Sequence, residues 1–271
     1  MTAPRSHGLL SATFCCVLSA LLLTIAAGCA EQSGKPTAQQ PAAPPRPRTL
    51  QETLADFQAQ WRASVPAARA KVYDEDVAQL RASGLADRAL NARVKAPDFT
   101  LPDVTGEDVT LSGLLARGPV VLLWYRGGWS PYCTIELRAY SEALPQFQEL
   151  GATLVAISPQ TLDNSLMTQQ LGQIEFPVLS DAGNQVARTY GLVQQLSGRM
   201  LTEIQSRLNL RDYNGDSSFE LPLPATYVID PGGVIRYAFV DPDYRRRAEP
   251  TAVLAALKEL AAKQEDDGAA E

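Results

Sequence analysis

Apolar positions along the chain follow two rhythms, and the rhythm changes near Ala96. Before it, Leu50, Leu54, Phe57, Trp61 and Val65 recur at helical spacing, and Val77, Leu80, Leu85 and Leu90 mark a second helical segment. Such a stripe usually packs into a core. After it, residues 96–101 and 109–111 alternate around a turn at Thr105-Gly106, which predicts a short hairpin. Continuous apolar runs at 119–125 and 152–158 are the mark of strands buried on both faces. Helical patterns occupy 134–150 and 161–171, the latter with Leu162, Leu166 and Leu171 on or near one face. A short strand is expected at 178–180, a short helix at 184–190, helix at 201–208 and a loop at 212–216. Segments 226–230 and 234–240, joined by Pro231-Gly232-Gly233, predict a second hairpin. Val253, Leu254, Leu257 and Leu260 place an amphipathic helix at 251–262. Strands alternating with helices, closing on a hairpin and a helix, predict an α/β fold. It has a mixed central sheet with helices on both faces, preceded by a helical extension.

The first residues follow neither rhythm. Arg5 precedes an uncharged, mostly apolar stretch that ends Ala26-Ala27-Gly28 before Cys29. A basic start, an apolar middle and small residues at the cut form a secretory signal. This one resembles the bacterial lipoprotein signal, which implies lipidation of Cys29; the alternative is an uncleaved membrane anchor. Either places the protein outside the cytoplasm, and the lipoprotein reading places it in a bacterial cell envelope, on the periplasmic side. The expected organisation is a signal at 1–29, a Pro/Ala-rich tether at 30–48 and a helical extension at 49–95. The main domain then spans 96–264, and an acidic, disordered tail 265–271.

Charge and composition narrow the chemistry. The net charge of −6 gives a nucleic-acid partner no support. The basic run Arg245-Arg246-Arg247 is flanked by Asp241, Asp243 and Glu249, so it reads as a solvated turn. His7 is the one histidine and lies in the signal, which excludes Cys-His and Ser-His catalysis in the mature chain and leaves no zinc site. No other cofactor is implied. Of the 4 cysteines, Cys15 and Cys16 leave with the signal and Cys29 takes the lipid. Cys133 remains, with nothing to pair with.

Candidate chemistry therefore converges on Arg126-Gly127-Gly128-Trp129-Ser130-Pro131-Tyr132-Cys133-Thr134-Ile135-Glu136. Ser130 is a preferred helix N-cap and Pro131 fits the first helical position. Cys133 then takes the third position, where a thiolate meets the positive helix end. A free thiol is only a few per cent ionised at neutral pH. Making one mostly ionised takes about 3.4 kcal/mol, whereas a helix end gives about 0.3–1. A cation must supply the rest, and Arg126 is the nearest candidate, with Arg138 next. Gly127 and Gly128 would let a small substrate approach the backbone. Ser130 could hydrogen-bond that substrate, and Glu136 suits the first helical turn.

These residues resemble the thioredoxin-fold superfamily, and within it the peroxiredoxins of the alkyl hydroperoxide reductase and thiol-specific antioxidant (AhpC/TSA) family. The carrying segments are Ala96-Pro97-Asp98-Phe99, Tyr125 through Glu136, Phe176-Pro177-Val178-Leu179-Ser180-Asp181 and Pro224-Ala225-Thr226-Tyr227-Val228-Ile229-Asp230. Ser130, Cys133, Thr134 and Glu136 fit the peroxiredoxin motif. Arg126 stands where the motif has proline, and Pro224, expected in cis, where the facing strand often has arginine. Close relatives often have cysteine at the position of Ser130. With serine there, dithiol–disulfide exchange cannot run within the motif, whereas the peroxide-attacking position keeps its thiol. The resemblance thus implies a one-cysteine, membrane-tethered antioxidant. Cys133 would reduce hydrogen peroxide or an organic hydroperoxide by becoming a sulfenic acid. An external thiol, either a thioredoxin-like protein or a small thiol, would restore it. A non-catalytic thioredoxin-like binding or chaperone module and a one-cysteine redox sensor stay open beside it.

Overall fold

The computed structural model describes residues 48–196 and 198–269. The stretches expected to form a signal and a tether, with Cys29 and its expected lipidation, lie outside the described residues apart from Arg48. Among those described, no helix is long and apolar enough to cross a membrane.

The extension folds as α1 (Leu50–Ser64), α2 (Ala67–Ser83) and the single turn α3 (Leu85–Arg88). Thr49 and Glu52 form a capping box at the start of α1. The Glu249 carboxylate, from the far end of the chain, accepts the next two N–H groups, of Leu50 at 3.1 Å and Gln51 at 2.7 Å. Val65 is extended ahead of Pro66, which ends α1. The stripe on α1 divides. Leu50 and Leu54 are core, whereas Phe57 and Trp61 are half-buried and line a cavity.

The expected hairpin forms from β1 (Thr100–Pro102) and β2 (Asp108–Thr110), followed by α4 (Leu111–Leu115). The chain then builds β3 (Val120–Trp124), α5 (Pro131–Glu149), β4 (Thr153–Ser158), α6 (Leu162–Gly172), β5 (Val178–Ser180) and α7 (Gln185–Thr189). A smaller ribbon, β6 (Val193–Gln195) with β7 (Glu220–Pro222), encloses α8 (Gly198–Gln205) and α9 (Leu210–Asn214). Strands β8 (Ala225–Ile229) and β9 (Ile235–Val240) and helix α10 (Pro250–Ala269) close the fold.

The main sheet runs β5-β4-β3-β8-β9. Strands β3, β4 and β5 are parallel; β8 and β9 are antiparallel to their neighbours. Strand β3 sits at the centre, and its period of two serves two cores. Val121, Leu123 and Tyr125 face α5, α10 and α1; Val120, Leu122 and Trp124 face the opposite layer. Every residue of β3 is buried, because both faces are covered. The mixed sheet with helices on both faces is the architecture expected from the sequence.

Three expectations need correction, and one helix faces against the usual fate of its apolar pattern. On α6 the apolar face points outward: Leu166, Met167 and Leu171 are exposed, and Ser165 and Thr168 are buried. Thr168 faces Gly128 so closely that a Cβ at Gly128 would lie 2.2 Å from its hydroxyl, so this contact selects the small polar side chain. Residues 212–214 belong to α9 rather than to a loop; Asn209 caps it and Gly215, at φ 73°, ends it. Helix α10 continues through the acidic stretch to Ala269. Pro224 is not cis, since no peptide among the described residues is.

Candidate active site

Strand β3 delivers Tyr125 and Arg126 into a tight turn before α5. Gly127 has φ 143°, a conformation L side chains rarely adopt, and a Cβ there would lie 2.3 Å from the Trp129 indole nitrogen. The Gly128 N–H donates to Gln160 Oε1 at 2.7 Å. Both glycines are thus explained by Trp129, Thr168 and Gln160 packing against the turn, not by room left for a substrate.

Ser130 occupies the N-cap and Pro131 the first helical position, as expected. The cap is made by the Ser130 backbone. Its carbonyl accepts from Cys133 N at 3.0 Å and Thr134 N at 3.1 Å, while its hydroxyl makes no capping bond. Cys133 stands at the third position, free and fully buried.

The cation beside the sulfur is neither Arg126 nor Arg138 but Arg247. Its Nη2 donates to Cys133 Sγ at 3.6 Å and to the Tyr244 carbonyl at 2.7 Å. Its Nε donates to the same carbonyl at 2.9 Å, and its Nη1 pairs with Glu136. Arg247 is 3% exposed and Glu136 1%. The arginine run is therefore no solvated turn. Arg246 alone reaches outward, with its side chain 60% exposed. Arg245 turns back to Asp243 at 2.6 Å and Asp74 at 2.8 Å, and Arg247 turns into the core.

Burial pushes the Glu136 carboxyl up, and the adjacent guanidinium offsets this only in part. For Arg247, burial works against the charge, and the fields of Glu136 and Cys133 outweigh it to hold the guanidinium protonated. Burial also acts on Asp243, but hydrogen bonds and charge from Arg245 hold its carboxyl below the ordinary value. Asp243 thereby anchors the loop that carries Arg247. The sequence contained one signal for this arrangement. Glu136 shares the inward face of α5 with Cys133, Leu137 and Tyr140, and a buried carboxylate needs a partner.

Arg126 is buried too, but it packs on aromatic rings, and no hydrogen bond joins it to the sulfur. Its guanidinium lies 4.2 Å from the Tyr244 ring centre and 5.4 Å from that of Trp129. It lines a cavity of about 390 Å³ formed by α1, α2, the 200–213 region and the first turn of α5. Ser130, Pro131 and Tyr132 line that cavity; Cys133, next to them in the chain, is fully buried and is not among the lining residues. Arg138 is exposed on the outer face of α5. Pro224 immediately precedes β8, which pairs with β3 through Trp124 and Ala225.

The site, then, is a buried thiol at a helix N-terminus, touched by a buried guanidinium that a carboxylate holds in place. It can host an anionic sulfur and an electrophile arriving through the cavity. The AhpC/TSA family model matches residues 92–238, a span that stops short of Arg247. A putative peroxiredoxin of Mycobacterium tuberculosis is 36% identical over 104 residues, covering 38% of this chain and 68% of its own. The chloroplastic peroxiredoxin Q of Oryza sativa subsp. japonica is 30% identical over 144 residues, covering 53% of this chain and 56% of its own. The crystal structure of the peroxidoxin BcpB from Mycobacterium tuberculosis superposes with a TM-score of 0.50 at 26% identity, over 63% of this chain and 97% of that one.

Proposed function

This chain belongs to the AhpC/TSA family and is a thiol-dependent peroxidase of the peroxiredoxin kind; on that premise we propose that Cys133 alone carries the reaction. The observation that carries this reading is the Arg247 guanidinium 3.6 Å from the sulfur, at the third position of α5. In the first step the thiolate attacks the terminal oxygen of a hydroperoxide. The S–O bond forms as the O–O bond breaks, and the electron pair leaves on the alkoxide or hydroxide, which takes a proton. Sulfur is oxidised to the sulfenic acid and the peroxide is reduced to an alcohol or water. An external thiol then attacks that sulfur, forming a mixed disulfide and releasing water. A second thiol displaces Cys133 and leaves as the external disulfide.

Arg247 holds the sulfur anion, and Glu136 holds Arg247. Ser130, whose hydroxyl caps nothing, is positioned to bind the incoming peroxide. Cys133 is fully buried, and its chain neighbours Ser130, Pro131 and Tyr132 face the cavity from which the peroxide arrives. A binding module has no use for a buried guanidinium at the one thiol among the described residues. For cellular place, the pattern of residues 1–29 supports tethering through lipidated Cys29 on the outer side of a membrane, with residues 49–95 packed over the site.

Catalysis is tested by supplying the mature protein with hydrogen peroxide and a small-molecule dithiol. Many turnovers are expected, with one disulfide formed per peroxide consumed. Consumption that stops after one equivalent, or none above the thiol blank, would remove the peroxidase reading.

A further inference from the structure

The cavity beside the thiol is lined by a buried guanidinium that no described carboxylate hydrogen-bonds at Nε or Nη2. Its charged lining consists of Arg126, Arg207 and Arg245, with no Asp or Glu among the lining residues. Arg207 is paired with Glu203 at 3.1 Å, and Arg245 with Asp243 and Asp74. Arg126 is 2% exposed, and among the described residues its Nε and Nη2 have no hydrogen-bond partner. The Trp129 indole N–H and the Tyr244 hydroxyl, on the two rings that flank this guanidinium, are also buried without partners. Asp76 lies within reach of the Arg126 charge, yet its buried Oδ2 makes no hydrogen bond to Arg126 or to any other described residue. Buried charges are kept where they are paired. Apart from Ser130, the remaining walls are apolar or aromatic, including Phe57, Trp61, Tyr73, Met200, Ile204 and Leu208.

We propose that this cavity binds an apolar molecule bearing one carboxylate, with the carboxylate on Arg126 and the Trp129 N–H and the apolar body against α1, α2 and α8. The substrate class follows if the peroxidase reading stands: an organic hydroperoxide that also carries a carboxylate. A guanidinium and a carboxylate form a charge-assisted, two-point contact that an alcohol cannot match.

The probe is laurate, titrated below its micelle concentration against the mature protein while tryptophan fluorescence is followed, since Trp61 and Trp129 line the cavity. Dodecanol and dodecylammonium serve as comparisons. Laurate is expected to bind about tenfold or more tightly than dodecanol, and dodecylammonium not to bind. Arg126→Gln should remove the preference for laurate over dodecanol, and Arg126→Lys should keep part of it. Equal affinities for laurate and dodecanol in the wild-type protein would overturn the proposal without any variant having to fold. An unchanged laurate affinity in folded Arg126→Gln would do the same. These readouts need neither peroxide nor reductant, so they stand or fall separately from the peroxidase reading. For the substrate class, a carboxylate-bearing hydroperoxide should show a higher kcat/KM than its methyl ester; equal values would overturn that assignment.

Discussion

Replacing Cys133 by serine is expected to abolish peroxide turnover while leaving the fold intact. A hydroxyl is hardly ionised at neutral pH and has no two-electron oxidation step that yields a sulfenic acid, so both the attack and the acceptor for the reductant disappear. The change nearly conserves volume at a fully buried position, and such swaps usually cost less than about 1.5 kcal/mol, somewhat more where a hydroxyl is introduced. The Arg247 hydrogen bond can pass to the new oxygen. Peroxide consumption with a small thiol and a thermal melt together check this. Residual turnover in a folded Cys133→Ser protein would mean that another group carries the chemistry.

Loss of Arg247 should be nearly as damaging, for two separable reasons. Arg247→Met strands the Glu136 carboxylate in the core, and breaking a buried pair by removing one partner costs about 3–5 kcal/mol. Glu136 limits this by taking a proton, which is easier because burial already raises its carboxyl. The second loss is the donor at the sulfur. Removing one preorganised donor from a developing or resting anion typically slows the chemical step by about 10²–10³-fold. The double variant Arg247→Met with Glu136→Leu separates the two. Replacing both members of a buried pair by apolar groups is often neutral, so stability should return while peroxidase activity stays low. If activity returns with stability, Arg247 is a structural residue only. The measurements are melting temperature and the single-turnover rate with hydrogen peroxide.

Much of the fold can be read from local pattern. Strand β3 announces itself as an unbroken apolar run because both of its faces are covered. The start of α5 is legible from Pro131, whose fixed φ suits the first helical position, and from Ser130, which takes the N-cap although its hydroxyl makes no capping bond. The end of α10 is not, since a helix anchored through Val253, Leu254 and Leu257 carries on past its last core contact. The outward face of α6 misleads because periodicity shows where apolar residues cluster but not which side meets a neighbour. At α6 the tight approach of Thr168 to Gly128 decides.

The site divides in the same way. Cys133 and its helical position follow from the sequence, and so does Ser130 as cap. Arg247 does not, because three consecutive arginines among acids look alike in one dimension. Only the fold sends Arg245 to Asp74 and Asp243, Arg246 to solvent and Arg247 to the thiol. Arg126 occupies the expected place in the chain, and its neighbours, Tyr244 and Trp129, give it the cavity rather than the sulfur.

The central claim is that the fold makes this buried thiol reactive toward peroxide. It is tested most directly by the rate at which one equivalent of hydrogen peroxide oxidises Cys133 in the folded protein and in the same protein unfolded in denaturant, with Cys133→Ser as the blank. The account predicts a rate per thiol at least about 100-fold higher in the folded state, which corresponds to roughly 2.7 kcal/mol of barrier. An equal or slower rate in the folded protein would mean that burial, not Arg247 and the helix end, governs the sulfur.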